Sequence, residues 1–174
     1  MARLLQRQGY AATGLNQVVA EAKAPKGSMY FHFPGGKEEL AAEAVAGSGA
    51  FIAAVLADQL ARKQSTVRAI ERFIDVMAEQ LQRTAFHEGC PIATVALEAA
   101  PTSEAIGAAT SDAFASWIDL LASRFEQDGL KPAAARSRAT LVIAALEGAL
   151  VLSKASRTTE PLRTIRTHLP RLCR

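Results

Sequence analysis

Cysteine is scarce in this chain, which has two, Cys90 and Cys173, among 174 residues. They are too few and too far apart for the disulfide framework of a small secreted protein, so the sequence predicts a reducing, cytoplasmic location. The N-terminus lacks the pattern of a signal peptide. No uninterrupted apolar run is long enough to span a bilayer, because the longest, 139–152, contains Glu147. We therefore expect no membrane partner.

Side-chain groups that carry out chemistry are also few. The three histidines, His32, His87 and His168, are scattered singly, and no metal-ligand spacing, phosphate-binding glycine loop or Ser-His-Asp signature is present. An enzyme alternative rests on Cys90 and His87 as a thiol nucleophile and its base. Cys90 precedes a proline at a helix start, however, and is better interpreted as a structural thiol. The sequence predicts a protein that is not an enzyme and has no cofactor or metal.

Apolar residues, in contrast, are abundant, at 49% of the chain, which is ample for a buried core. The formal net charge of +3 permits nucleic-acid binding without arguing for it, since many soluble proteins are equally basic. Apolar positions recur at helical spacing, and we find no strand pattern, internal repeat or low-complexity segment. The spacing predicts an all-α fold of about nine helices.

The most informative stretch is 13–40, TGLNQVVAEAKAPKGSMYFHFPGGKEEL. Thr13 is suited to cap a first short helix, and Pro25 is suited to the first turn of a second, very short one. Pro34, Gly35 and Gly36 break the chain before Lys37 opens a long helix. Two short helices joined by a tight turn form a helix-turn-helix, which inserts its second helix into the DNA major groove.

The leading end of this second helix carries our candidates for contacts inside the groove. They are one lysine and two small residues: Lys26, Gly27 and Ser28. Base-edge contacts provide specificity, whereas phosphate contacts provide most of the affinity. The alternative is that the aromatic residues that follow, Tyr30, Phe31 and Phe33, are simply the small core of this region; Phe33 is expected to be core in either case.

Residues 22–33, AKAPKGSMYFHF, and 37–40, KEEL, resemble the turn, recognition helix and fourth-helix start of the tetracycline-repressor (TetR) family of bacterial transcription regulators. One departure is Lys23, which stands where the family usually has glycine, so we expect a left-handed backbone at a non-glycine residue. The family positions that contact backbone phosphates correspond here to Thr13, Tyr30, His32 and Lys37. In this family the first helix is usually longer and preceded by a basic arm, so we expect either that N-terminal residues are missing or that the start codon is placed unusually.

Residues 89–98, GCPIATVALE, resemble the C-terminal domain of the branch of the family that includes lincomycin-resistance and flavonoid-responsive regulators. The resemblance implies a helix-turn-helix DNA-binding domain over 1–40 and an effector-binding and dimerisation domain over 41–174. It also implies a cavity for a small hydrophobic or aromatic effector. The candidate walls are Phe51, Phe73, Met77, Phe86, Ile92, Val95, Phe114, Trp117 and Leu121, with Glu98 or His87 as a polar anchor. The alternative for each apolar residue is ordinary core packing.

A homodimer is expected on physical grounds, because one short helix buries little surface on DNA whereas a dimer reads two half-sites. The penultimate helix is apolar over most of its surface, and with the last helix it would form a four-helix interface with its symmetry mate. The candidate interface residues are Leu141, Ala145, Gly148, Ala149, Leu152, Leu162, Ile165 and Leu169. The alternative is a central helix buried within one subunit.

The function predicted is therefore that of a ligand-responsive repressor, which binds a palindromic operator in double-stranded DNA as a dimer and is released by its effector. Repression is implied by the resemblance alone. The alternative is a helical small-molecule-binding or scaffold protein without sequence-specific DNA binding. Salt separates the two, because binding to DNA weakens steeply as salt displaces phosphate contacts.

Overall fold

A computed structural model describes the chain from Met1 to Cys173, without the side chain of Leu172. Over these residues it consists of nine α-helices and contains no strand. The helices are α1 (Ala2–Gln8), α2 (Leu15–Ala22), α3 (Lys26–His32), α4 (Gly36–Ala61), α5 (Thr66–Arg83), α6 (Pro91–Ala99), α7 (Glu104–Gln127), α8 (Pro132–Ser156) and α9 (Glu160–Leu172). The predicted all-α fold is confirmed.

Several helix ends follow from local signals in the sequence. Gly9 ends α1 with a φ of 77°, as expected of glycine at a C-terminal cap. Lys23 ends α2 in the left-handed region, with φ 52° and ψ 34°, which confirms the expectation for this non-glycine position. Ser65 stands just before an apolar pattern at helical spacing, so the sequence predicts an N-cap there. The Ser65 hydroxyl accepts a hydrogen bond of 3.3 Å from the Arg68 N–H and so caps α5 as predicted.

Two predicted ends are wrong. Thr13 does not cap α2, which begins at Leu15 after Gly14 and has no side-chain cap. The apolar spacing predicts a helix from about Ser65 to Phe86. This helix, α5, stops at Arg83 instead, because the Phe86 N–H donates back to the Leu81 carbonyl at 2.7 Å. This backward bond closes the last turn of α5 in the manner of a Schellman motif, with Ala85, the residue after the C-cap, in the left-handed region.

The chain forms two compact units, and α4 and α7 contribute residues to both. The first comprises Met1–Ala50 and Cys90–Phe114, and its core includes Leu4, Leu5, Val45, Ile92 and Ile106. The second comprises Phe51–Gly89 and Ala115–Arg174, where α9 packs on both α5 and α8. Residues 1–40 lie within the first unit, and the predicted division between 40 and 41 stays a prediction.

Two helices, α4 and α8, are long and apolar enough to cross a membrane when judged by length and composition. Both helices contain charged residues, so neither is an uninterrupted apolar run, and the expectation of no membrane partner stays a prediction. Core helices of soluble proteins share the same composition, so these two properties do not by themselves indicate a membrane span.

Candidate nucleic-acid interface

The turn between α2 and α3 consists of Lys23, Ala24 and Pro25. The Ala24 N–H donates to the Val19 carbonyl at 3.1 Å, and this bond depends on the left-handed backbone of Lys23. Pro25 is extended, with ψ 140°, and directs the chain into α3. The two helices pack against each other, as a helix-turn-helix requires.

The faces of α3 are set by one buried side chain, Met29, which is 7% exposed. At 3.6 residues per turn, Gly27 and Phe31 lie on nearly the opposite side of the helix. Tyr30 is 58% exposed and Phe31 is 82% exposed, so the alternative in which they form the core of this region is wrong. Phe33 is half-buried rather than core. The sequence did not reveal Met29 as the buried residue, because a helix of seven residues is too short to define an apolar stripe.

The predicted groove-contacting residues all lie at the leading end of α3. Lys26 and Gly27 are exposed and Ser28 is half-buried. A Cβ built on Gly27 would meet no atom within 4 Å, so the protein itself does not require glycine at this position. His32, at the other end of α3, is exposed, and its ring stands edge-on to that of Phe31 at a centroid distance of 5.2 Å. The outward face of α3 therefore presents a cation, a glycine and aromatic rings.

Lys37 lies on the first turn of α4 beside the turn between α1 and α2. Its ammonium lies 4.2 Å from the centroid of the Tyr10 ring and 3.4 Å from the Ala11 carbonyl oxygen. The Tyr10 pKa is raised by burial and, to a smaller extent, by the negative charge of Glu38. Tyr10 therefore remains neutral and offers the face of its ring to the lysine.

The side chain of Thr13 is buried, whereas contact with a DNA phosphate requires an exposed side chain. It is 1% exposed, and its hydroxyl donates a hydrogen bond of 2.6 Å to the Gly9 carbonyl. The side chain thus stabilises the turn after α1 from inside, and we leave it out of the DNA-contacting surface.

Glu98 has a structural partner that the sequence did not reveal. Although it is on α6, its carboxylate accepts hydrogen bonds from the Tyr10 N–H at 2.7 Å and the Ala11 N–H at 3.0 Å. A Cβ built on Gly9 would lie only 2.0 Å from this carboxylate, so the close approach requires glycine there. The carboxylate predicted to anchor an effector instead holds the turn that precedes α2.

A second carboxylate forms a similar link within the first unit. The Ser103 hydroxyl, just before α7, donates to the Glu38 carboxylate on α4. Glu39, the next residue, accepts a hydrogen bond of 2.7 Å from the Gly35 N–H and so closes the turn that leads into α4. Both acids of the KEEL segment therefore hold the protein's own backbone and side chains.

The predicted effector-binding residues are divided between the two units. Ile92, Val95, Glu98 and Phe114 belong to the first, and Phe51, Phe73, Met77, Phe86, Trp117 and Leu121 to the second. Ile92, Val95 and Leu121 are fully buried, and Phe73 and Trp117 nearly so. Phe51 is 71% exposed, so its assignment as the wall of an enclosed cavity is wrong for this structure.

An open groove of about 500 Å³ lies within the first unit, between α4 and the start of α7. Its lining is small and acidic, comprising Gly35, Glu38, Glu39, Ala42, Glu43, Ala46, Ala105, Ala109 and Asp112. The predicted effector-binding residues are not among them.

The predicted dimer residues on α8 and α9 separate into exposed and buried sets. Leu141, Gly148 and Leu152 are exposed, and Val151 extends the same apolar surface of α8. Ala149, Leu162 and Leu169 are 3%, 0% and 0% exposed within the single chain, so their assignment to an intersubunit surface is wrong: they belong to the packing of the second unit, where α8 contacts α9. Ala145 and Ile165 are half-buried.

Together, the fold and the exposed recognition helix define a helix-turn-helix protein with a larger helical body. Residues 2–44 match the model of the bacterial regulatory proteins of the tetR family, and residues 66–168 match that of the LmrA/YxaF-like transcriptional regulator C-terminal domain. The chain belongs to the TetR family of transcription regulators, and the predicted branch is confirmed. Members of this family are transcription regulators, which confirms that the chain is not an enzyme.

Relatives align over nearly the whole chain. The transcriptional regulator LmrA of Bacillus subtilis is 36% identical over 98% of this chain and 90% of its own length. The regulator YxaF of the same organism is 38% identical over 99% of this chain and 90% of its own length. A TetR regulator from Legionella pneumophila has the same fold, with a TM-score of 0.86 at 23% identity, over 98% of this chain and 91% of that structure.

Proposed function

We propose that this regulator represses transcription in the cytoplasm by binding a palindromic operator as a homodimer, and that a small hydrophobic effector releases it. The observation that carries the proposal is the outward face of α3, where Phe31 is exposed opposite the buried Met29 and Tyr30 and Lys26 are exposed beside it. A helix so oriented can place side chains at base edges while Tyr30 and His32 approach phosphates. We keep Tyr30, His32 and Lys37 as phosphate contacts and Lys26, Gly27 and Ser28 as groove contacts.

The experiment is selection of bound sequences from random duplex DNA by the purified protein at low and high salt. We expect an enriched palindrome that is retained less well at high salt. Binding of the protein releases salt cations from the DNA phosphates, and this release favours binding less as the salt concentration rises. Absence of enrichment at low salt would contradict the proposal.

Variants of the recognition helix distinguish DNA contact from folding. Lys26→Ala and Tyr30→Ala should lose binding to the selected duplex while keeping the wild-type thermal midpoint, because both side chains are exposed. Lys131→Ala is the matched control, since Lys131 is an exposed lysine of the second unit. Its binding should equal that of the wild type, whereas unfolding of the first two variants would assign those residues to the core instead.

The homodimer is supported by the exposed apolar surface of α8 formed by Leu141, Gly148, Val151 and Leu152. Leu152 is 61% exposed, and several apolar residues contiguous on one helix face favour burial against a partner. Leu152→Asp should produce monomers in sedimentation velocity at concentrations where the wild type is dimeric. Leu97→Asp is the control, because Leu97 on α6 is 80% exposed and should not change the assembly. A dimer that survives Leu152→Asp contradicts this interface.

The effector is proposed to be hydrophobic because the candidate side chains are predominantly aromatic and aliphatic. Binding would release DNA by favouring a conformation whose half-site spacing does not fit the operator. Aromatic compounds can be screened for release of the selected duplex. Phe73→Ala and Trp117→Ala should weaken release more than Leu97→Ala does, and equal sensitivity in all three would contradict these assignments.

The cytoplasmic location follows from the role, because a bacterial transcription regulator acts where the chromosome is. Both cysteines carry thiols rather than a disulfide, in keeping with a reducing compartment. Fractionation of cells that express the protein should recover it with the cytoplasm and nucleoid. Recovery with membranes would contradict this part of the proposal.

A further inference from the structure

We infer that Phe31 determines part of the operator sequence by contacting the C5-methyl group of a thymine in each half-site. The inference rests on the proposed function and adds a residue, and the base that it reads, to the same surface. Phe31 is the most exposed of the large apolar side chains in the described part of the chain, at 82%. Its position on α3 makes this exposure informative.

The ring projects from the side of α3 that faces away from the protein. Met29, the buried residue of the helix, lies two positions earlier, which is roughly 160° around the helix axis. Gly27 lies one turn before Phe31 on nearly the same line and has no side chain, so the space beside the ring is open. No neighbouring side chain of α3 therefore prevents the Phe31 ring from reaching the base edges in the DNA major groove.

The chemical groups that the bases present in the major groove determine which base the Phe31 ring can recognise. Guanine, adenine and cytosine present hydrogen-bond donors and acceptors there, none of which a phenyl ring can satisfy. Thymine presents a methyl group, which is the apolar group on the major-groove edges of the four bases. An exposed phenylalanine on the outward face of a recognition helix therefore favours thymine at the position that it reaches.

The ring has a neighbour that restricts its orientation. His32 stands edge-on to it, with an interplanar angle of 87°, and is itself exposed at the end of α3. A phosphate contact by His32 would keep this edge-on pair in place on the DNA. Phe31 would then contact the base while its neighbour holds the backbone.

The test uses the palindrome selected by the wild-type protein, with one symmetry-related pair of thymines at a time replaced by deoxyuridine, which lacks the methyl group. One such pair should weaken wild-type binding by about 15-fold, because each buried methyl group contributes about fourfold. Phe31→Ala should bind the unmodified duplex more weakly and show no further loss on the deoxyuridine duplex. Leu97→Ala, which removes a similarly exposed apolar side chain from α6, should behave as the wild type.

The outcomes separate this inference from the proposed function. If the wild type selects a palindrome but no deoxyuridine pair weakens its binding, or if Phe31→Ala keeps the full sensitivity to deoxyuridine, the thymine contact is refuted while operator binding stands. If no palindrome is selected, both are refuted. Circular dichroism and thermal unfolding of Phe31→Ala should match the wild type, because a side chain this exposed adds little to the core.

Discussion

The contact between Gly9 and Glu98 allows a quantitative test of how the region that precedes α2 is held. Gly9 has φ 77° and ψ −176°, a conformation that is essentially restricted to glycine. A Cβ there would lie 2.0 Å from Glu98 Oε1 and 2.6 Å from Cδ, so alanine must displace the carboxylate. Gly9→Ala therefore combines backbone strain with the loss of both hydrogen bonds that Glu98 accepts.

The magnitude follows from these two terms. Backbone strain of this kind costs about 1–3 kcal/mol. The two hydrogen bonds lie at the surface, so we assign them about 0.5–1 kcal/mol each rather than the larger values of buried charged groups. Gly9→Ala should lower the free energy of unfolding by about 2–5 kcal/mol and the thermal midpoint by roughly 4–20 °C. Glu98→Ala alone, which removes only the hydrogen bonds, should cost about 1–2 kcal/mol.

The assay is urea and thermal denaturation of the two single variants and the double variant, followed by circular dichroism. The double variant should be more stable than the sum of the single changes predicts, because alanine at position 98 leaves room for the methyl group at position 9. Non-additivity of about 1 kcal/mol is expected for residues in contact. Additive costs would refute the reasoning, since they would mean that the Glu98 carboxylate does not lie against Gly9.

Three further predictions concern single residues of the turns and the C-terminal helix. Lys23→Gly should raise the free energy of unfolding by about 1 kcal/mol, because glycine adopts the left-handed conformation without a side-chain clash; an unchanged or lower value in urea titration contradicts the assigned backbone. Thr13→Val should destabilise the protein by about 1–3 kcal/mol, because the Gly9 carbonyl loses its donor, whereas Thr13→Ser should remain near the wild type; equal stability of both variants would exclude this hydrogen bond. Burial raises the pKa of Cys173 from 9.0 to about 11, against the smaller lowering effect of Arg138, so its thiolate population at pH 8 should be about 100-fold below that of a thiol of pKa 9.0. Alkylation followed by mass spectrometry should show the slow reaction, and the rate of an ordinary thiol would contradict it.

Features that depend on neighbouring residues could be predicted from the sequence. The left-handed position of Lys23, the cap at Ser65 and the end of α1 at Gly9 are all set by interactions within one turn. The helix-turn-helix motif is itself local, since its two helices are joined by three residues. The family relationship followed from the same short segment.

Features that depend on distant residues could not be predicted. Glu98 lies 88 positions from Tyr10 in the sequence, and its carboxylate accepts a hydrogen bond from the Tyr10 N–H. No local sequence pattern connects the two residues. Leu162 and Leu169 form an apolar stripe on α9, but a stripe shows only that a face is covered and not which chain covers it. The structure shows that both are covered within the chain itself. Phe31 is exposed although its sequence context was compatible with a core position. An aromatic residue in an apolar segment can be buried or exposed, and only the orientation of α3 in the fold distinguishes the two.

The central claim, that the outward face of α3 lies against DNA bases, is tested most directly by Gly27→Ala. Alanine is favoured over glycine in a helix by about 0.5–1 kcal/mol, and the added methyl group would meet no protein atom within 4 Å. Gly47→Ala is the matched control, because Gly47 is an exposed glycine within α4 whose Cβ would also meet open space.

Both variants should fold with stability equal to or slightly above that of the wild type. In equilibrium binding to the selected duplex, measured by fluorescence anisotropy, Gly27→Ala should lose about tenfold or more in affinity because its methyl group crowds the bases, and Gly47→Ala should lose none. A Gly27→Ala protein that binds the duplex as tightly as the wild type would contradict the claim.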